Sequence, residues 1–195
     1  DLVFKAHVFF SRITDRQGFY SSAATKRLVR SIEHFGPDVI HLHNLHGYYL
    51  DIRVLFEFLK QYKKPVVWTL HDCWAFTGHC AYFSYVSCDK WKIGCGQCPQ
   101  KYSYPACYVL DDSKKSFAEK KRLFTAVENL NIVTPSNWLS NLVKDSFLKD
   151  FPTETIYNGL DLNIFKPTVS DFKEINGLRN KKIVLGVANV WEKRK

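Results

Sequence analysis

The sequence predicts a parallel α/β fold in which helices pack on both faces of one sheet, and three observations carry that expectation. Short β-branched or apolar runs alternate with segments of helical periodicity along most of the chain. The runs end in polar residues, as buried parallel strands do where they reach solvent. The connections are long enough for right-handed crossovers, and no internal repeat or low-complexity tract interrupts the alternation.

Residues 1–16 have apolar content without a clean period, so no element is assigned there. Ser21 and Ser22 can cap a helix with Leu28, Val29 and Ile32 on one face, ending near Gly36-Pro37. Asp38 to His43 reads as a buried strand, and Tyr49 to Tyr62 places Leu50, Val54, Leu55, Phe58 and Leu59 at helical spacing. A second strand, Val66 to Leu70, is entered through Pro65 and followed at once by His71 and Asp72. Asp112-Ser113 opens a further helix carrying Phe117, Lys121, Leu123 and Phe124. Ile132 to Thr134 is a strand, Ser136 caps a helix over Trp138 to Phe147, and Glu154 to Tyr157 is another strand. The four strands at Val39 to Leu42, Val66 to Leu70, Ile132 to Thr134 and Thr155 to Tyr157 are expected in the core. The organisation is a first domain over 1–165 with a cysteine-rich insertion at 73–107, a polar linker at 166–181, and a strand over Lys182 to Ala188 that starts a truncated second domain at 182–195. With Asp1 first and no methionine anywhere, the chain reads as a piece of a longer protein.

A net charge of +9 at pH 7 favours an anionic partner: nucleic acid, a phosphorylated ligand or an acidic membrane surface. No run reaches the roughly 18 apolar residues of a spanning helix and no signal-peptide pattern opens the chain, so a cytoplasmic protein is expected. Lysines and arginines are scattered rather than striped, which argues against nucleic acid as the partner.

The chemistry concentrates at two strand ends. Ligands of open α/β sheets collect at the carboxyl ends of strands, where His71 and Asp72 stand. Adjacent residues point opposite ways, so His71 is expected to contact ligand and Asp72 to cap the following loop rather than bond His71. Asn44, His46 and Tyr48 follow the neighbouring strand and are expected in the same cleft. His41 and His43 share a strand face, a pattern metal sites use and one that a polar-lined strand face also produces. Cys80, Cys88, Cys95 and Cys98 end in a Cys-Gly-Gln-Cys knuckle, with Cys73 and Cys107 outside and His79 as a substitute ligand. Structural zinc, reduced thiols and disulfides all remain readings of that spacing.

The segments DVIHLHNLHGYYL, WTLHDCWAFTGHCAYF, CDKWKIGCGQCP, IVTPSNWLSNLV and IYNGLDLNIFKP together resemble the amino-terminal half of retaining family-four glycosyltransferases of the GT-B fold, the kind that build bacterial capsular and surface polysaccharides. The resemblance runs from about Gly18 to Lys195. It implies a Rossmann-like, acceptor-side half of a two-domain enzyme that transfers a sugar, with retention, from a nucleotide-sugar to a glycan or lipid-linked acceptor. It implies that His71 lies near the transferred sugar, that Asn158, Gly159 and Asp161 approach the interdomain hinge, and that Lys195 begins a basic pair gripping the donor diphosphate. The nucleotide-sugar would be held mainly by a second domain, without which this chain should not turn over, and association with the inner face of the membrane is compatible with the charge. Two features depart from the family pattern: a glycine-rich loop after the first strand and the paired glutamates of the donor half are absent. The alternative is a zinc-stabilised nucleic-acid-binding or protein-interaction module.

Overall fold

A computed structural model describes residues 2–187. In chain order the elements are α1 (Leu2–Thr14), α2 (Ser22–Phe35), β1 (Ile40–Leu42), α3 (Ile52–Gln61), β2 (Val66–Thr69), α4 (Ser113–Phe124), β3 (Leu130–Thr134), α5 (Asn137–Asp145), β4 (Thr153–Thr155) and α6 (Phe172–Ile175). Between β2 and α4 run only three short 3-10 turns, at Trp74–Phe76, Ser84–Val86 and Lys90–Lys92. The chain divides into two compact units, the first ending at Tyr157 and the second beginning at Asn158.

The four strands form one parallel sheet in the order β1-β2-β3-β4. Its register aligns Ile40, Val66 and Leu130 in one row and Leu42, Trp68 and Ile132 in another, and all six side chains are buried. The residues between them, His41, Val67 and Asn131, point to the opposite face and are exposed or half-buried. When strand order follows chain order, right-handed crossovers put successive connecting helices on the same side. The burial alternation agrees, since Leu55, Phe56 and Leu59 of α3, Phe124 of α4, and Leu139 and Val143 of α5 join the core with these strand residues. Phe56, Trp68 and Phe124 meet at its centre, with ring centroids 4.3 Å (Phe56 to Phe124) and 5.0 Å (Trp68 to Phe124) apart.

Each boundary has a local cause. α2 stops because Gly36 takes a left-handed conformation, φ 63°, and its N–H bonds the Ile32 carbonyl. Of the face expected on α2, Ile32 packs against the core and Val29 is half-buried, but Leu28 is exposed. α3 begins at Ile52 rather than Tyr49 because Asp51 caps it, accepting the Arg53 N–H at 3.0 Å. That carboxylate is buried, takes the Arg53 guanidinium and the Ser22 hydroxyl, and so ties α2 to α3. Ser136 caps α5 as expected, accepting the Leu139 N–H at 3.3 Å. Residues 1–16, unassigned from sequence, contain α1, with Phe9 and Phe10 exposed.

Three strand expectations need correction. β1 starts at Ile40, and Val39, expected in the core, precedes the strand and is 51% exposed. β4 covers Thr153–Thr155, and Ile156 and Tyr157, expected in the core, are 55% and 65% exposed. β4 pairs on one side only, with β3, so as an edge strand it needs no two-sided apolar run. The strand expected from Lys182 is not formed over residues 182–187, and Ala188 lies outside the described residues. In the second unit, Asp161 turns the chain by accepting the Asn163 N–H at 2.8 Å, and α6 is a four-residue turn without buried side chains.

Gly78 is where the irregular stretch passes closest to α4. A Cβ there would stand 2.1 Å from the Ser113 carbonyl oxygen and 2.7 Å from the Cys95 Cβ. Gly78→Ala is therefore expected to lower stability by about 1–3 kcal/mol, as overpacking does, in urea unfolding. Asp51→Ala removes a helix cap and the ion pair to Arg53, which keeps its bond to the Phe19 carbonyl, and a loss of about 2 kcal/mol is expected in the same measurement. Retention of wild-type midpoints by either variant would contradict the packing described.

Candidate functional site

The carboxyl ends of β1 and β2 adjoin, because the two strands pair from Ile40 with Val66 to Leu42 with Trp68. The segments that leave them, His43 to His46 and His71 to Trp74, line one cleft. His71 and Asn44 thus share a sheet edge. His71 is exposed, and its Nε2 lies 3.0 Å from His43 Nδ1 with the rings stacked at 5.3 Å, so one ring nitrogen of His71 is engaged and Nδ1 remains for a ligand. His43 in turn lies 4.3 Å from the His41 ring, and His41 Nε2 contacts Thr69 Oγ1 at 2.8 Å. Partial burial, and then the neighbouring His43 and His71, hold His41 below the usual histidine range. Three imidazoles in a row make this edge a hydrogen-bonding surface.

Asp72 turns the other way. Its Oδ1 accepts the Trp74 N–H at 2.9 Å, the loop cap expected, while Oδ2 lies 2.8 Å from His46 Nε2. Both side chains are about nine-tenths buried. The dyad of this site is therefore Asp72 with His46, and it extends to Tyr104, whose hydroxyl is 2.9 Å from His46 Nδ1. Sequence spacing could not show this, since the three residues come from separate segments.

The loop from Asn44 to Leu50 is held in an uncommon shape. Tyr48 has φ 66°, a left-handed conformation that costs free energy in a residue with a bulky side chain. The Ser21 hydroxyl donates to the Tyr48 carbonyl at 2.8 Å and the Tyr49 hydroxyl to the Asn44 carbonyl, which fixes the loop from both sides. Tyr48 lines an adjoining groove with Phe4, His7, Tyr20 and Ser21. Of the remaining expected site residues, Asn158 is exposed at the start of the second unit, and Lys195 lies outside the described residues.

The cysteine-rich stretch makes a small core of its own. Phe83 stacks on Trp91 at 4.8 Å and Phe76 meets Trp91 at 5.4 Å. Cys80, Cys88, Cys95 and Cys98 line one pocket beside these rings, and all six cysteines are free thiols. Among the described residues, however, no group of three or more His, Cys, Asp or Glu side chains is arranged to hold a metal ion, and the tetrahedral set expected for zinc is not formed. Three of the four sulfurs have protein partners instead. Cys80 and Cys98 pair with each other, and Cys95 Sγ accepts the Gly78 N–H at 3.2 Å. The Cys80 partnership draws the Cys98 thiol down to about 7, while burial lifts Cys95 to about 11. His79 is buried with Nδ1 on Asp15 and Nε2 without a partner, facing the same pocket. Burial alone would lower its affinity for a proton, but the Asp15 hydrogen bond and charge reverse that, and the imidazole is held above its ordinary range.

Beneath both regions lies Lys120, fully buried, its Nζ donating to the carbonyls of Trp74 at 2.9 Å and Thr77 at 3.1 Å and standing 3.4 Å from the centre of the Trp74 ring. Burial pushes its ammonium down to about 7. Neither Lys120 nor Tyr104 carries a sequence signal, because each acquires its meaning from what it touches. Among the described residues no helix is long and apolar enough to cross a membrane.

The chain is 34% identical over 134 residues to a protein of Escherichia coli (strain K12) named as a putative colanic acid biosynthesis glycosyl transferase, WcaC. The aligned part is 65% of this chain and 32% of that protein, so the chain spans about a third of the relative's length. The family model for Glycosyltransferase Family 4 matches residues 3–164, which include both strand ends, the histidine row, the Asp72–His46 dyad and the cysteine pocket. With a parallel α/β sheet and a polar cleft at its carboxyl edge, this chain belongs to Glycosyltransferase Family 4.

Proposed function

We propose that this chain is the acceptor-side part of a retaining GT-B glycosyltransferase of surface polysaccharide synthesis, which moves a sugar from a nucleotide-sugar to a glycan or lipid-linked acceptor. The observation that carries the reading is the family match over 3–164 around a cleft where His71 stands exposed at the end of β2. The biosynthetic role named for the Escherichia coli relative supports the substrate class. In this reading residues 1–165 bind the acceptor, 166–181 link, and 182–195 begin the donor domain, with Asn158 near the hinge and Lys195 at the donor diphosphate.

His71 then acts by position rather than as a general base. In a retaining transfer the leaving phosphate and the incoming hydroxyl share one face of the sugar, so the phosphate oxygen can take the acceptor's proton. His71 Nδ1 hydrogen-bonds a hydroxyl of the transferred sugar, and His43 fixes the ring that presents it. In the full-length protein, His71→Ala is expected to lower the transfer rate about 100-fold, whereas His71→Asn and His71→Gln, which keep a donor, recover part of it. Rate and melting temperature are measured on the same preparations. A fall in melting temperature with unchanged specific activity would make His71 a structural residue and remove it from the mechanism.

A structural zinc on Cys80, Cys88, Cys95 and Cys98 is a separate proposal. Their common pocket supports it, although the thiols as arranged would first have to give up their protein partners. Zinc would deprotonate the thiols and draw the sulfurs to about 2.3 Å from the ion. Protein purified without chelator is expected to hold about one zinc per chain, lost in Cys95→Ser. Metal-free protein with four titratable thiols and wild-type stability would leave a buried thiol cluster instead.

A further inference from the structure

The Asp72–His46–Tyr104 chain ends on a group that the transfer reaction above does not use. Asp72, with Oδ1 already on the Trp74 N–H, presents Oδ2 to His46 Nε2, and a carboxylate can only accept there. His46 therefore carries a proton on Nε2, and in its neutral form this leaves Nδ1 as an acceptor. Among the described residues, the proton within reach of Nδ1 is that of the Tyr104 hydroxyl, 2.9 Å away. The phenol oxygen thus spends its hydrogen inward and turns its lone pairs outward.

The surroundings point to a ligand for those lone pairs. Tyr104 is 39% exposed, although the dyad behind it is buried. Gln17 is buried beside the Tyr104 hydroxyl, where its amide nitrogen has only a poorly formed hydrogen bond to one lone pair of the phenol oxygen and its amide oxygen has none, which is uncommon for buried amide groups and leaves the second phenol lone pair open. Tyr48, held in its left-handed conformation, contributes a second phenol close enough to act on Tyr104. First burial, then the nearby Tyr48 and Asp72, outweigh the opposing hydrogen bond from Gln17 and raise the Tyr104 hydroxyl above the ordinary tyrosine range, so it stays a neutral hydrogen-bonding group at any physiological pH.

We propose that Tyr104, oriented by the Asp72–His46 dyad, is a substrate contact that accepts a hydrogen bond from a hydroxyl of the sugar acceptor. The orientation selects the chemistry. A group with lone pairs outward and no free proton recognises a donor, such as a sugar hydroxyl, and discriminates against a carboxylate, a ketone or a methyl ether at the same position. His46 and Asp72 are positioning residues, because they act through the phenol. This inference rests on the transferase reading for the identity of the ligand as an acceptor, but the sugar contact itself can be tested separately.

The test uses the full-length protein and two measurements. Methyl α-glucopyranoside, methyl β-galactopyranoside and methyl α-fucopyranoside are titrated as probes by saturation-transfer NMR, and nucleotide-sugar hydrolysis to nucleoside diphosphate is followed in the absence of any acceptor. At least one glycoside is expected to bind the wild type and, about tenfold more weakly, Tyr104→Phe, which removes one hydrogen bond and keeps the ring, with melting temperature unchanged. His46→Ala, which leaves the phenol but not its orientation, is expected to weaken the same glycoside by a smaller factor, and it serves as the readout if Tyr104→Phe folds poorly. Equal glycoside affinity in wild type and both variants overturns the inference, as does the failure of every glycoside to bind the wild type. If glycoside binding depends on Tyr104 but no nucleotide-sugar is turned over, the sugar contact stands and the transferase reading falls.

Discussion

Lys120 holds the turn on which the site depends. The chain leaving β2 has no regular structure to brace it; at the two ends of its first 3-10 turn the Trp74 carbonyl would keep only a long bond from the Thr77 N–H, at 3.4 Å, and the Thr77 carbonyl would be buried without its Lys120 partner. One ammonium group from α4 satisfies both and packs over the Trp74 ring. Burying a lysine is costly, which is why its proton affinity is depressed, but the alternative is one unsatisfied and one weakly bonded carbonyl in the same apolar space. With Trp74 fixed, its N–H anchors Asp72, Asp72 anchors His46, and His46 orients Tyr104. The order of the cleft thus propagates from a cation that touches none of the expected substrate contacts.

How much of this could be read from sequence depended on whether a residue's role is local. The strands around Ile40, Val66 and Ile132 were legible because a buried parallel strand needs a short apolar run whatever its neighbours are. Ser136 was legible as a cap because capping is settled within three residues. Tyr157 was misread because its apolar ring resembles a core residue, while burial is decided by the edge position of β4. α1 was missed because Phe9 and Phe10 lie on its exposed surface and blur the period. In the site, Asp72 was rightly separated from His71 by the alternation of a strand end, but its true partner, His46, is 26 residues away and only the sheet register brings them together.

The cysteine-rich stretch shows a different economy. It packs Phe76, Phe83 and Trp91 without the backbone ladder that a helix or strand would supply, so side chains and close backbone approaches must fix its path. Gly78 against Ser113, His79 against Asp15 and Gln100 reaching the Tyr82 carbonyl are the fixings. Through Asp15 the stretch is also tied to the end of α1 and the start of α4, since the same carboxylate accepts the Asp112 N–H at 3.1 Å. One buried acid therefore joins three segments that are far apart in the chain.

The simple strand order has a consequence in time. β1 finds β2 after one short helix, and β3 finds β4 in the same way, but Leu130 reaches its neighbour Val66 only after roughly 60 further residues have been made. At about 5–20 residues per second on the ribosome, β2 waits several seconds with one edge unpaired. The apolar row of Val66 and Trp68 must meanwhile be sheltered by α3 alone or by a chaperone. The irregular stretch that carries the cysteines is therefore also the delay that separates the two halves of the sheet during synthesis.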